Sequence, residues 1–160
     1  MLTNWKVFTF KKLIFDYLKL IYGVLLTFSP AAATTIADFF KDTKTNPQDY
    51  DLILTGDLGK VGSDLLINLL NKDYDYDISS VHNDCGLMIY DLEGQDVHAG
   101  GSGCGCSGAV VNSYIMKKLI NKELNNVLFV GTGALLSATS ALQGESIPSI
   151  AHGILLTSGE

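Results

Sequence analysis

The residues best placed to do chemistry stand in one run, His98-Ala99-Gly100-Gly101-Ser102-Gly103-Cys104-Gly105-Cys106-Ser107-Gly108, which leads straight into a helical pattern. Glycines let a backbone turn tightly and approach a ligand closely. The N–H groups of a helix's first turn have no partner inside the helix and lie at the positive end of its dipole. An anion suits such a place. The structural alternative is a tight strand-to-helix turn whose glycines serve packing alone, since glycine spacing is weak evidence by itself. The run does not fit Gly-x-x-x-x-Gly-Lys-Ser/Thr, so a nucleotide P-loop is not supported.

The three cysteines, Cys85, Cys104 and Cys106, open two further chemistries. Cys104 near a helix start would have a lowered pKa, and His98 could act as its base; a buried, inert cysteine is the commoner outcome. His82-x-x-Cys85 and His98 with Cys104-x-Cys106 offer soft ligands, but Cys-x-Cys lacks the usual spacer and no second regular pair exists, which argues against zinc. An odd count argues against a closed disulfide framework and for a reducing compartment. Asp57, in Thr55-Gly56-Asp57-Leu58-Gly59, follows the end of a strand, where open α/β sheets place ligand groups; an Asx turn or helix cap is its structural alternative. Asp84, in Asn83-Asp84-Cys85-Gly86, has the same two readings. His152 is flanked by apolar residues on an expected strand and reads as a core histidine.

The elements that must hold these residues follow from the apolar pattern. Ser29-Pro30 reads as N-cap and first helical residue. Ala33, Ile36, Ala37 and Phe40 then recur at i, i+3, i+4, i+7, the period of an amphipathic helix. Thr45-Asn46-Pro47 breaks it. Tyr50 to Leu54 reads as a short buried strand, and the helix after it carries Leu65, Leu66, Leu69 and Leu70. After the turn-rich Asn71 to Ser80 comes an apolar stretch, Leu87 to Tyr90. A third helix is expected from about Ser107 to Asn121, with Val111, Tyr114, Ile115 and Leu119 on one face and Lys117, Lys118 and Lys122 away from it. Strands at Val127–Val130 and about Ala151–Leu156 complete an α/β layering.

Composition limits what these elements can serve. The chain has 160 residues, 47% hydrophobic and 18% charged, room for one core and too apolar for disorder. Eleven Lys, no Arg and 17 acidic residues give a net charge of −6, which argues against nucleic acid as a partner. Without a guanidinium fork, an anion here must rely on backbone N–H groups, hydroxyls or Lys. Residues 1–29 differ from the rest: four Lys against one acid (Asp16), and seven of the 15 aromatic residues. They are read as a separate basic, aromatic leader, helical by the period of Leu13, Tyr17, Leu20, Ile21 and Val24. With Ala31-Ala32-Ala33 the leader also imitates a secretory signal with its cleavage site. Asp16 and Lys19 interrupt its apolar run, which is too short to span a membrane.

Several blocks carry a resemblance that covers about residues 30–160: Tyr50 to Gly62, Asn83 to Ile89, Asp96 to Ser107, Thr132 to Ser137, and Gln143 to Pro148. In this order they resemble the C-terminal half of the stage V sporulation protein AD family. The resemblance implies a thiolase-like α/β fold, of which this chain holds the C-terminal half, a mixed sheet layered with helices and preceded by an unrelated N-terminal helix. It implies a sporulation protein that binds dipicolinic acid or its calcium chelate and supports uptake into the developing spore. The partners are membrane proteins of the same operon, at the cytoplasmic side of the inner spore membrane. It also places the apparent cleavage site inside a domain helix. The missing N-terminal half, or a second copy of this chain, becomes a further expected partner, and the chain reads as truncated.

The alternative that the thiolase-like fold raises is a condensing acyltransferase. Such enzymes use a cysteine from the other half plus a His and an Asn from two loops of this half. Here the first loop carries Asp57 with no His, and the second reads Gly101-Ser102-Gly103-Cys104 with no Asn. No catalysis, cofactor or bound metal is therefore expected. The ligand-binding candidates are Asp57, Gly101, Ser102, Gly103, Cys104 and Ser107: a planar dianion suits N–H groups and hydroxyls, and a calcium chelate suits the Asp57 carboxylate.

Overall fold

The computed structural model describes residues 28–101, 103–134, 143 and 149–159. The leader up to residue 27, Ser102 and most of the segment between the last two strands lie outside them. The first helix, α1, runs through residues 28–43. Its period is met: Ala32, Ala33, Ile36, Ala37 and Phe40 are all buried. Ser29 is not its N-cap. The backbone is already helical at residue 28, and Ser29 Oγ donates instead to the carbonyl of Gly62 at 2.8 Å.

α1 stops at Lys44, whose φ of 57° puts it in the left-handed region. The Thr45 N–H then donates back to the Phe40 carbonyl at 3.0 Å, the reversal that closes a helix end. A 3-10 turn, Pro47–Asp49, follows. Tyr50 is spent on packing, its ring 5.6 Å from that of Phe40 and 6.2 Å from that of Phe39. Strand β1 accordingly starts later than its apolar run and covers Leu52–Thr55.

Helix α2 covers Gly59–Tyr74 and turns Leu66 and Leu70 fully inward. The apolar stretch after it supplies no strand. Instead the polar triplet His82–Asp84 forms β2, and Cys85–Met88 form a short helix, α3. A single rod then runs from α4, Cys106–Val110, through a π-helical turn, Val111–Ile115, into α5, Met116–Ile120. The π turn shifts the rod's register, so the inward residues are Val110, Ile115 and Leu119. Tyr114, expected on that face, is 47% exposed and lies beneath Lys118 Nζ, 4.8 Å from its ring centre.

Strands β3, Asn126–Ala134, and β4, Ser149–Thr157, finish the fold. The sheet is mixed, in the order β2-β1-β3-β4. β1 is parallel to β2 and β3, while β3 and β4 are antiparallel. Alternate residues of the inner strands feed two cores. Ile53, Leu128 and Val130 face α1 and α2 with Ile36, Phe40, Leu66 and Leu70. Leu54 and Val127 face the rod with Cys85, Cys106, Val110, Ile115 and Leu119. Helices on both faces of a mixed sheet make this an α/β fold, as expected.

β4 corrects one residue. His152 is exposed, not in the core, and so are its neighbours Ile150 and Ile154 at 55% and 54%. β4 ends the sheet among the described residues, so a strand apolar enough for the interior stands at its border.

Candidate functional site

β1, β2 and β3 run parallel, so the segments that follow them all leave at the same end of the sheet, the end at which ligands gather in α/β folds. Gly56 and Asp57 follow β1 there, and Gly131 to Gly133 belong to the last part of β3, beyond its pairing with β1. The glycine run enters α4 beside them. A Cβ placed on Gly56 would lie 3.6 Å from Thr132 Oγ1 and 3.7 Å from Ser107 Cβ. Gly56 thus marks the point where the three segments meet.

Asp57 is the polar centre of this meeting. Its Oδ1 accepts from Thr132 Oγ1 at 3.2 Å, and its Oδ2 accepts from the Gly103 N–H at 3.4 Å. Of the residues expected to bind ligand, the structure brings together Asp57, Gly103 and Ser107, with exposed Cys104 next to Gly103 in the chain. Ser102 lies outside the described residues. Thr132 was the missing member; its position two residues past the apolar run Val127–Val130 is the signal that points to it.

Several of the donors expected of the glycine run are engaged within the chain. The Gly101 N–H donates to the Gly86 carbonyl at 3.0 Å and the Cys106 N–H to the Gly103 carbonyl at 3.0 Å. Gly101 and Gly86 press together, since a Cβ on Gly86 would fall 2.1 Å from the Gly101 carbonyl oxygen. Gly86 and Gly101 thus serve close packing and build the wall. Gly103, Gly105 and Gly108 differ in having open space where a side chain would be, and of these three Gly103 alone has a positive φ, 150°. Its N–H is directed at a carboxylate belonging to the protein itself, so the anion position near Gly103 is met by Asp57. What Asp57 then offers outward is negative charge.

Beneath this surface lies a second carboxylate. Asp84 Oδ2 accepts from Thr55 Oγ1 at 2.6 Å and the Leu58 N–H at 2.8 Å, and Oδ1 accepts from the N–H groups of Gly59 and Gly86, each at 2.9 Å. It caps the entries of α2 and α3 together, because Leu58 and Gly59 begin α2 and Gly86 lies in the first turn of α3. Burial pushes its carboxyl up from the ordinary value, while these four hydrogen bonds favour the charged form. Thr55 Oγ1 also lies 3.1 Å from His82 Nε2. The hydroxyl proton goes to Asp84, so Nε2 carries the proton that Thr55 accepts. Burial lowers the His82 pKa to about 4, which keeps the ring neutral.

The cysteines divide by environment. Burial, then the charge of Asp84, pushes the Cys85 thiol up to about 12, and burial also raises that of Cys106. Neither is a thiolate near neutral pH. Cys104 is exposed. His98, considered as its base, is also exposed, with Nδ1 3.6 Å from Asp96 Oδ1. Among the described residues, no three His, Cys, Asp or Glu side chains come together as a metal site, and no helix is long and apolar enough to cross a membrane. Lys60, the cation at the start of α2, is paired with Asp64.

Comparison with known proteins places the chain. A family model described as Stage V sporulation protein AD matches residues 23–157. The chain is 52% identical over 127 residues to the stage V sporulation protein AD of Bacillus subtilis strain 168. That match takes in 79% of this chain and 37% of the relative, so the chain spans little more than a third of the relative's length.

Proposed function

Because the chain belongs to the stage V sporulation protein AD family, we propose that it binds dipicolinic acid, as its calcium chelate, where Asp57, Thr132, Gly103 and Ser107 meet. It thereby supports uptake of that acid into the developing spore. The observation that carries this reading is the state of the Asp57 carboxylate. It is oriented from two sides by Thr132 and Gly103, and no cation of the protein is hydrogen-bonded or ion-paired to it among the described residues. A bare dianion would meet a like charge there, whereas the calcium of a chelate meets a hard oxygen ligand. Ser107 is half-buried beside it and has a hydroxyl suited to a carboxylate of the same ligand.

The reading is one of binding without turnover. The loop after β1 offers a carboxylate where a condensing enzyme needs a donor to a developing oxyanion, and Cys85 and Cys106 are held as thiols. We place the fold with the thiolase-like architectures, this chain forming the C-terminal half, and the protein at the cytoplasmic side of the inner spore membrane beside membrane proteins of its operon. Calorimetric titration of the full chain with calcium dipicolinate should give saturable heat, and Asp57→Ala should weaken it by about tenfold or more. Absence of heat at millimolar ligand removes the claim that this chain binds unaided. Release of coenzyme A from an acyl-CoA would instead favour an acyltransferase.

A further inference from the structure

Asp84 takes no part in the contacts assigned to the ligand, yet it ties together the two loops that make them. From Asp84 the Leu58 and Gly59 N–H groups hold the turn that immediately follows Asp57. Through Gly86, whose carbonyl accepts the Gly101 N–H at 3.0 Å, it holds the glycine run two residues before Gly103. The ring closes where the Lys60 N–H donates to the Ala99 carbonyl at 2.7 Å. We propose that Asp84 is a positioning residue for the Asp57 site, and that Thr55, with its hydroxyl set by His82, locks the Asp84 carboxylate onto both loops. This rests on reading the Asp57 site as the ligand site.

The logic is that of a buried carboxylate with four donors. Removing one of them lets the carboxylate turn, and both segments lose their common anchor. A helix cap alone would hold α2 and α3 separately. A shared anchor couples them, so disturbance on the β1 side must reach Gly101 on the other.

Thr55→Val keeps the shape and removes the hydroxyl, and Thr55→Ser restores it. Amide hydrogen exchange in the full chain should rise about tenfold at Gly59, Gly86 and Gly101 in Thr55→Val relative to Leu128 in β3, and return in Thr55→Ser. Should Thr55→Val not fold, His82→Leu, which removes the N–H that sets the Thr55 hydroxyl, should raise exchange at the same amides relative to Leu128. An equal rise at Leu128, or a rise at Gly59 with Gly101 unchanged, overturns the proposal. Calcium dipicolinate titration is the second arm: affinity should fall in Thr55→Val and recover in Thr55→Ser, and unchanged affinity in Thr55→Val also overturns it. If the unaltered chain gives no heat, the ligand reading falls, and the positioning role stands or falls on exchange alone.

Discussion

At the scale of the residue, the glycines separate into those that pack into the wall, Gly86, Gly100 and Gly101, and those with open space at the Cβ position, Gly103, Gly105 and Gly108. On Gly86 an added Cβ would meet the Gly101 carbonyl oxygen at 2.1 Å; on Gly101 it would meet Tyr90 Cε2 at 1.9 Å. The shorter contact is the cheaper one. Tyr90 is 41% exposed and its ring can swing into water, whereas the Gly101 carbonyl belongs to a backbone fixed by the Gly86 hydrogen bond. Gly86→Ala should therefore destabilise by roughly 2–4 kcal/mol and Gly101→Ala by less than about 1 kcal/mol. Urea denaturation of the two variants decides it, and a larger loss for Gly101→Ala would show that Tyr90 is held rigidly. The sequence showed both glycines inside clustered turns. It did not show that they touch, because that contact joins segments fifteen residues apart through packing alone.

Elements end in this fold by a device that leaves room for improvement. Lys44, Asp75 and Lys122 have φ of 57°, 60° and 57°, each just past a helix. After the rod, as after α1, an N–H beyond the left-handed residue turns back into the last turn, Glu123 to the Lys118 carbonyl at 2.9 Å. Only glycine adopts this conformation without steric cost. Lys44→Gly and Lys122→Gly should each raise stability by about 0.5–1 kcal/mol, additively because the two helices they close pack on opposite faces of the sheet, as read from thermal melting. A loss in either variant would mean that its Lys side chain contributes more than the backbone strain costs. The same scale explains which elements could be read in advance. α1 and α2 have clean 3.6 periods, and β1 and β3 are apolar on both faces, so their patterns are strong. β2 could not be seen, since His82-Asn83-Asp84 is polar and becomes a strand only by pairing with β1. The π turn was equally hidden. It inserts an extra residue per turn that no fixed period anticipates, and Tyr114 moved outward as a result.

For the molecule as a whole, what was legible is the meeting of Asp57 with the glycine run, and the carboxylate beneath it was legible only as a helix cap. Asp57 and Gly103 stand in loops that follow strongly patterned elements, and the α/β layering alone brings such loops to one end of the sheet. Of the two readings of Asp84 the helix cap is the one the structure shows, but it and His82 sit in a polar strand that no apolar pattern announces, so their burial was hidden. Their burial has a consequence for the response of the whole chain to acid, since stability changes with pH by the difference in protons bound by the unfolded and folded states. The ordinary value for His82 is 6.5 and the folded one about 4, so as pH falls below 6.5 the unfolded chain takes up a proton that the folded chain refuses. Stability contributed by the neutral ring is full above pH 6.5 and is lost progressively between 6.5 and 4, up to roughly 3 kcal/mol. The raised Asp84 carboxyl works in the opposite sense, because the folded chain binds that proton before the unfolded one does, and it offsets part of the loss at the acid end. The depressed Asp51 carboxyl, held by the Asn126 and Asn125 N–H groups, adds its own loss only at lower pH, as its folded form protonates after the unfolded one. Between pH 7 and 5, then, His82 should dominate, with a fall of about 2 kcal/mol visible as a lower melting temperature. His82→Gln, which keeps an N–H for Thr55 and cannot titrate, should flatten that slope while leaving the fall below pH 4 in place. An unchanged slope in His82→Gln would mean that another group carries the acid response.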